Sequence, residues 1–150
     1  MKKNKDFKIA IVLSTFDDTI SNNLLEGARN KFMDLGGNAK NLIIISVPGA
    51  FEIPGAVNQI LRKQKDIQAI VALGCVIKGK TAHFEYISSA VTDSISLISS
   101  RADIPIIYGI LTTYNYYQAI ERSDITKKNK GGEVMDAAFK TILAYNKITK

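Results

Sequence analysis

Short apolar runs alternate with amphipathic stretches along most of this chain. Phe7 to Ser14 (FKIAIVLS), Leu42 to Val47 (LIIISV), Ala69 to Ile77 (AIVALGCVI) and Ile104 to Leu111 (IPIIYGIL) are rich in β-branched residues. Runs this short and this continuously apolar predict strands buried on both faces, as in a parallel sheet. Between them, apolar residues recur at helical spacing. Leu24, Leu25, Ala28, Phe32 and Leu35 share one face, and Gly36-Gly37 marks its end. Pro54 opens a second helix running to about Lys65, with Val57, Ile60 and Leu61 inward. Phe84, Ile87, Val91, Ile95 and Ile98 form a third stripe, and Val134, Ala138, Ile142 and Tyr145 a fourth. The order βαβαβαβα predicts a doubly wound α/β sandwich, expected as one domain over residues 1–150.

In such sheets ligands bind beyond the carboxyl ends of the strands. The segments to search are therefore Thr15 to Asp18, Pro48 to Glu52, Lys78 to His83 and Thr112 to Asn115. Composition narrows the chemistry. A hydrophobic fraction of 46% and a charged fraction of 23% are those of an ordinary globular protein. No apolar run approaches the roughly 20 residues of a membrane span, and no signal-type stretch follows the basic N-terminus. The expected location is the cytoplasm, with no membrane partner. One Cys and one His cannot build a zinc cage, so no metal site is expected. Cys75, inside an apolar run, reads first as a buried structural thiol. The net charge of +6 is scattered; Lys127, Lys128 and Lys130 cluster without interleaved aromatics, which argues against nucleic acid and for a small anionic substrate.

Residues 74–86 support two incompatible readings. Gly74, Gly79, Lys80 and Thr81 fit G-x-x-x-x-G-K-[ST], the phosphate loop of magnesium-dependent nucleotide enzymes. That loop needs flexible backbone between its glycines, yet Val76 and Ile77 are stiff and suited to a strand. It also needs an acidic magnesium ligand ending another strand. LIIISV and IPIIYGIL end without one, and Asp17 after the first strand could serve but for the intervening Phe16. On the second reading, a basic turn holds a phosphate at a helix start, and His83, the only histidine, moves protons beside it.

The post-strand segments together resemble the lumazine synthase family across nearly the whole chain. The resemblance rests on Val47 to Pro54 (VPGAFEIP), Ala72 to Tyr86, Tyr108 to Thr113 (YGILTT), Gln118 to Arg122 (QAIER) and Asn129-Lys130-Gly131, in the family's order and spacing. It implies a flavodoxin-like three-layer αβα sandwich with a four-stranded parallel sheet. The implied reaction condenses 5-amino-6-(ribitylamino)uracil with 3,4-dihydroxy-2-butanone 4-phosphate to 6,7-dimethyl-8-ribityllumazine, in riboflavin biosynthesis. Phosphate and water leave, and no cofactor is implied.

The resemblance also implies roles. Phe16 would stack on the pyrimidine, where a core aromatic is the plainer reading. Ala50, Phe51 and Glu52 would hold the ribityl chain, with an ordinary cap as the plainer reading of Glu52. Cys75, Val76 and Ile77 would line the substrate site. Lys80 and Thr81 would meet the phosphate, although Thr81 reads equally as a plain helix cap. His83 would transfer protons. Tyr108, Thr112, Thr113, Arg122 and Lys130 would come from a neighbouring subunit of a homo-pentamer, Arg122 on the phosphate and Lys130 near a pyrimidine carbonyl. Whether pentamers stack into an icosahedral shell, and whether a riboflavin synthase is a partner, stays open. Thr15, Asp17, Lys78, Lys80 and Tyr108 stand where the family commonly has Arg, Asn, Arg, a small or acidic residue, and Phe. A ligand-binding or shell-forming protein of this fold without catalysis is the remaining alternative.

Overall fold

A computed structural model describes residues 2–149. Four strands form one sheet: β1 (Ile9–Ser14), β2 (Leu42–Val47), β3 (Ala69–Ile77) and β4 (Ile106–Thr113). Their order is β2-β1-β3-β4 and every pairing is parallel. Parallel neighbours need crossover connections, and the intervening helices supply them. They are α1 (Asp18–Asp34), α2 (Ile53–Lys63) and α3 (His83–Arg101), while α4 (Tyr116–Ser123) and α5 (Lys130–Ile148) follow the last strand. The architecture is a three-layer αβα sandwich of flavodoxin-like order.

Strand parity sorts the core into two halves. Ile9, Ile11 and Leu13 of β1 and Val71 and Leu73 of β3 face α1, α4 and α5. Ala10 and Val12, with Ile70 and Ala72, face α2 and α3. Both faces of β1 are covered, so all six of its residues are buried. The outer strand β2 is half-exposed, with Ile45 reaching solvent. Phe7 precedes β1 rather than extending it; its ring lies 5.4 Å from that of Phe139, which in turn meets Phe32.

Two expected boundaries change. The last strand runs from Ile106 to Thr113, not Ile104 to Leu111. Pro105 has no N–H for a ladder, although its carbonyl still accepts from the Ile70 N–H at 3.0 Å. Thr112 and Thr113 are thus strand residues. Among the described residues there are five α-helices where four stripes were expected, because the short α4 was not expected.

Candidate active site

Connections from β1 and β3 leave to opposite faces of the sheet, so a crevice opens between their carboxyl ends. A cleft of about 270 Å³ lies there, lined by Phe16, Gly49, Ala50, Phe51, Glu52, Cys75, Val76, Ile77, His83 and Ile87. Each arrives by a local rule. The Asp17 carboxylate caps α1, accepting from the Ile20 N–H at 3.0 Å, which turns the chain sharply after β1 and leaves Phe16 71% exposed. Phe16 is therefore no core aromatic. Phe51, 61% exposed, sits in a single helical turn after Pro48-Gly49. Glu52 precedes α2 but its carboxylate caps nothing, so it is free to face the cleft. Cys75 is buried, as its surroundings suggested, and forms part of the wall. Burial pushes its thiol up to about 12, only partly opposed by the Thr113 hydroxyl.

Gly74 to Ile77 belong to β3 and pair residue for residue with Ile110 to Thr113. No flexible loop joins Gly74 to Gly79, which removes the nucleotide-loop reading of that interval. Gly74 has a packing reason instead: a β-carbon there would press on Ser14 Oγ at 2.6 Å.

The start of α3 differs from what Thr81 suggested. Ala82 is the cap residue, and no side chain closes the helix end. Thr81 lies one position outside, its hydroxyl accepting from the His83 N–H at a long 3.4 Å. Side chains of Asp17, Asn115 and Asn129 cap α1, α4 and α5. The first turn of α3 thus keeps donors and a positive dipole end directed outward. His83 is the first residue of that helix, exposed, and within the cleft. Lys80 and Thr81 are exposed and lie outside the cleft lining. Lys78 pairs with Glu85 at 3.6 Å and lies 5.8 Å from the Tyr114 ring centroid.

The other expected residues assemble elsewhere. Tyr108, Thr112, Arg122 and Lys130 line a second cleft of about 300 Å³, with Ile110, Leu111, Lys128 and Glu133. Ile110 and Leu111 point to opposite faces, so this groove follows the free edge of β4. Arg122 lies exposed in the last turn of α4, and Lys130 opens α5, bonded to Glu133 at 3.0 Å. Thr113 is buried and does not line the groove. Gly49, Ile87, Ile110, Leu111, Lys128 and Glu133 were not among the expected site residues. Ile87 and Glu133 follow His83 and Lys130 by one helical turn, and that spacing was the available signal. Among the described residues no three His, Cys, Asp or Glu side chains gather as metal ligands, and no helix is long and apolar enough to cross a membrane.

A parallel αβα sandwich with an aromatic-walled cleft beyond the ends of β1 and β3, beside an uncapped helix start, defines a flavodoxin-like protein with its crevice where the strand order reverses. Residues 6–146 match the family model of 6,7-dimethyl-8-ribityllumazine synthase, nearly the full 150 residues. The chain belongs to that family, transferase-type enzymes of riboflavin biosynthesis.

Proposed function

We propose that this protein condenses 5-amino-6-(ribitylamino)uracil with 3,4-dihydroxy-2-butanone 4-phosphate, giving 6,7-dimethyl-8-ribityllumazine, inorganic phosphate and water. The observation that carries this reading is the meeting of Phe16, Phe51, Glu52 and His83 in one cleft. The pyrimidine stacks on Phe16, and the ribityl hydroxyls meet the Ala50–Glu52 segment and the Glu52 carboxylate. The phosphate takes the open N–H groups and dipole at the start of α3, near Lys80 and Thr81. The amine of the pyrimidine attacks the ketone, water leaves to form an imine, and phosphate is then eliminated. Elimination leaves an enol at the hydroxyl-bearing carbon, which tautomerises to a new carbonyl; the second nitrogen closes onto it and a second water leaves. Each stage moves a proton, and His83 is the group in the cleft suited to that near neutral pH. No cofactor enters. Most of the acceleration comes from holding two substrates together, with proton transfer adding about 10²–10⁴.

The two clefts also support a site shared between copies. Tyr108, Arg122 and Lys130 line a groove apart from His83, and a neighbouring copy brings that groove to the first cleft. The proposed assembly is a cytoplasmic homo-pentamer of single-domain subunits. The test is an assay of purified protein with both substrates and a chelator, following phosphate release and lumazine fluorescence together. Stoichiometric appearance of both above the uncatalysed rate is the expected result. A folded, assembled protein that produces neither would overturn the reading.

A further inference from the structure

We propose that Thr92 is a positioning residue for the second cleft. Its hydroxyl holds the Tyr108 ring in the orientation in which that ring walls the pyrimidine of a neighbouring copy. This inference rests on the condensation and the shared site proposed above.

Thr92 lies on α3 and Tyr108 on β4, and their side-chain oxygens are 2.8 Å apart. That is a full-strength hydroxyl–hydroxyl hydrogen bond by distance. The Tyr108 ring packs half-buried against the α2/α3 half of the core, while the residue also lines the second cleft. No strand lies beyond β4, so nothing in the sheet braces the ring on its outer side. The adjoining element is α3, and Thr92 is where it takes hold. A phenol tied at its hydroxyl loses the swing about its side-chain torsions that an edge-strand aromatic otherwise keeps. Whichever oxygen donates, the tie fixes the hydroxyl end of the ring, and the ring face is what turns toward a ligand. Aromatic contact depends on offset and tilt, which makes ring orientation a determinant of pyrimidine affinity. The same helix begins at His83, so one rigid element carries both the proton-transfer residue and the brace for the wall given to the next copy.

The experiment compares wild type with Thr92→Val, Thr92→Ser, Tyr108→Phe and the double variant Thr92→Val/Tyr108→Phe, measuring kcat and both KM values on assembled protein. Losing one neutral hydrogen bond is expected to raise the pyrimidine KM about three- to tenfold in Thr92→Val. Its KM for the butanone phosphate should stay within about twofold, because neither group given to that phosphate, the start of α3 or Arg122, is bonded to Thr92 or Tyr108. Thr92→Ser keeps a hydroxyl and should recover most of the affinity. The double variant should be no weaker than either single one, since both delete the same bond. If Thr92→Val does not assemble, Tyr108→Phe reports the bond from its other end. An unchanged pyrimidine KM, an equal rise in both KM values, or a double variant whose loss is the product of the singles overturns the inference while wild-type turnover stands. Absence of wild-type turnover overturns the proposed reaction, and this inference with it.

Discussion

His83 is exposed at the first turn of α3, with no carboxylate paired to it among the described residues, so its proposed work is done by the imidazole alone. Replacing it by alanine should slow turnover by at most about 10²–10⁴ and leave measurable activity, because substrate juxtaposition survives. Single-turnover rates at saturating substrate would reveal this, and an unchanged chemical step would exclude the role. Cys75 makes the opposite case. Its thiol keeps its proton to about pH 12, so alkylation of the native protein at pH 8 should be far slower than that of a free thiol. A stability effect follows. The unfolded thiol deprotonates near its ordinary 9.0 while the folded one stays protonated, so above that pH the unfolded state binds fewer protons. Stability should therefore fall between about pH 9 and 12, by no more than about 1.4 kcal/mol per pH unit from this group. Urea midpoints for wild type and Cys75→Ala across that range would isolate the contribution. Several of these side chains were legible in the sequence. Cys75 sits in an unbroken apolar run, and Phe16 follows a strand just before a capping aspartate. The partner of the Tyr108 hydroxyl was not legible, because Thr92 lies on another element and only packing brings them together.

Helices and strands owe their positions here to a few close approaches. Asn129 takes a left-handed conformation with φ of 47° and caps α5 through the Gly132 N–H at 3.2 Å. Gly131 then sits against the α1 backbone, where a β-carbon would collide with the Leu24 carbonyl. The Asn-Lys-Gly motif thus has a structural reason as well as a proposed functional one: it sets α5 on α1 and so aims Lys130. Gly131→Ala should destabilise the fold by about 1–3 kcal/mol, as overpacking of backbone against backbone has no flexible side chain to yield. Chemical denaturation would measure it, and a neutral result would mean that α5 slides at little cost. The four strands and the long helices were readable because their apolar periods are long. The short α4 was not read as a helix. It has eight residues, its only fully buried apolar side chain is Ala119, and Tyr114, Tyr116 and Tyr117 before and within it are exposed. Its signal is instead the Asn115 side chain, which accepts from the Gln118 N–H at 2.9 Å. Position 105 misled at the other end of β4, since a proline inside an apolar run reads as strand until its missing donor is considered.

For the molecule as a whole, the separation of His83 from Arg122 into two grooves invites a mixing experiment. His83→Ala and Arg122→Ala copies should each be poor enzymes alone. Co-assembled in equal amounts, neighbours of opposite type rebuild an intact site at about one interface in four. Activity recovered to about a quarter of wild type would support the shared site, and none would mean that each copy works alone. The division into two grooves was not readable from spacing, because it depends on β4 being an outer strand. There remains the open start of α3, a 19-residue helix begun without a side-chain cap. An anion settling there does for the helix what a serine or aspartate does elsewhere, so occupancy and folding share one free-energy cycle. Inorganic phosphate at ten times its dissociation constant should add about 1.4 kcal/mol per subunit and raise the melting temperature by about 4 °C. On the proposed reaction, the group that completes this helix start arrives with one substrate and leaves as a product.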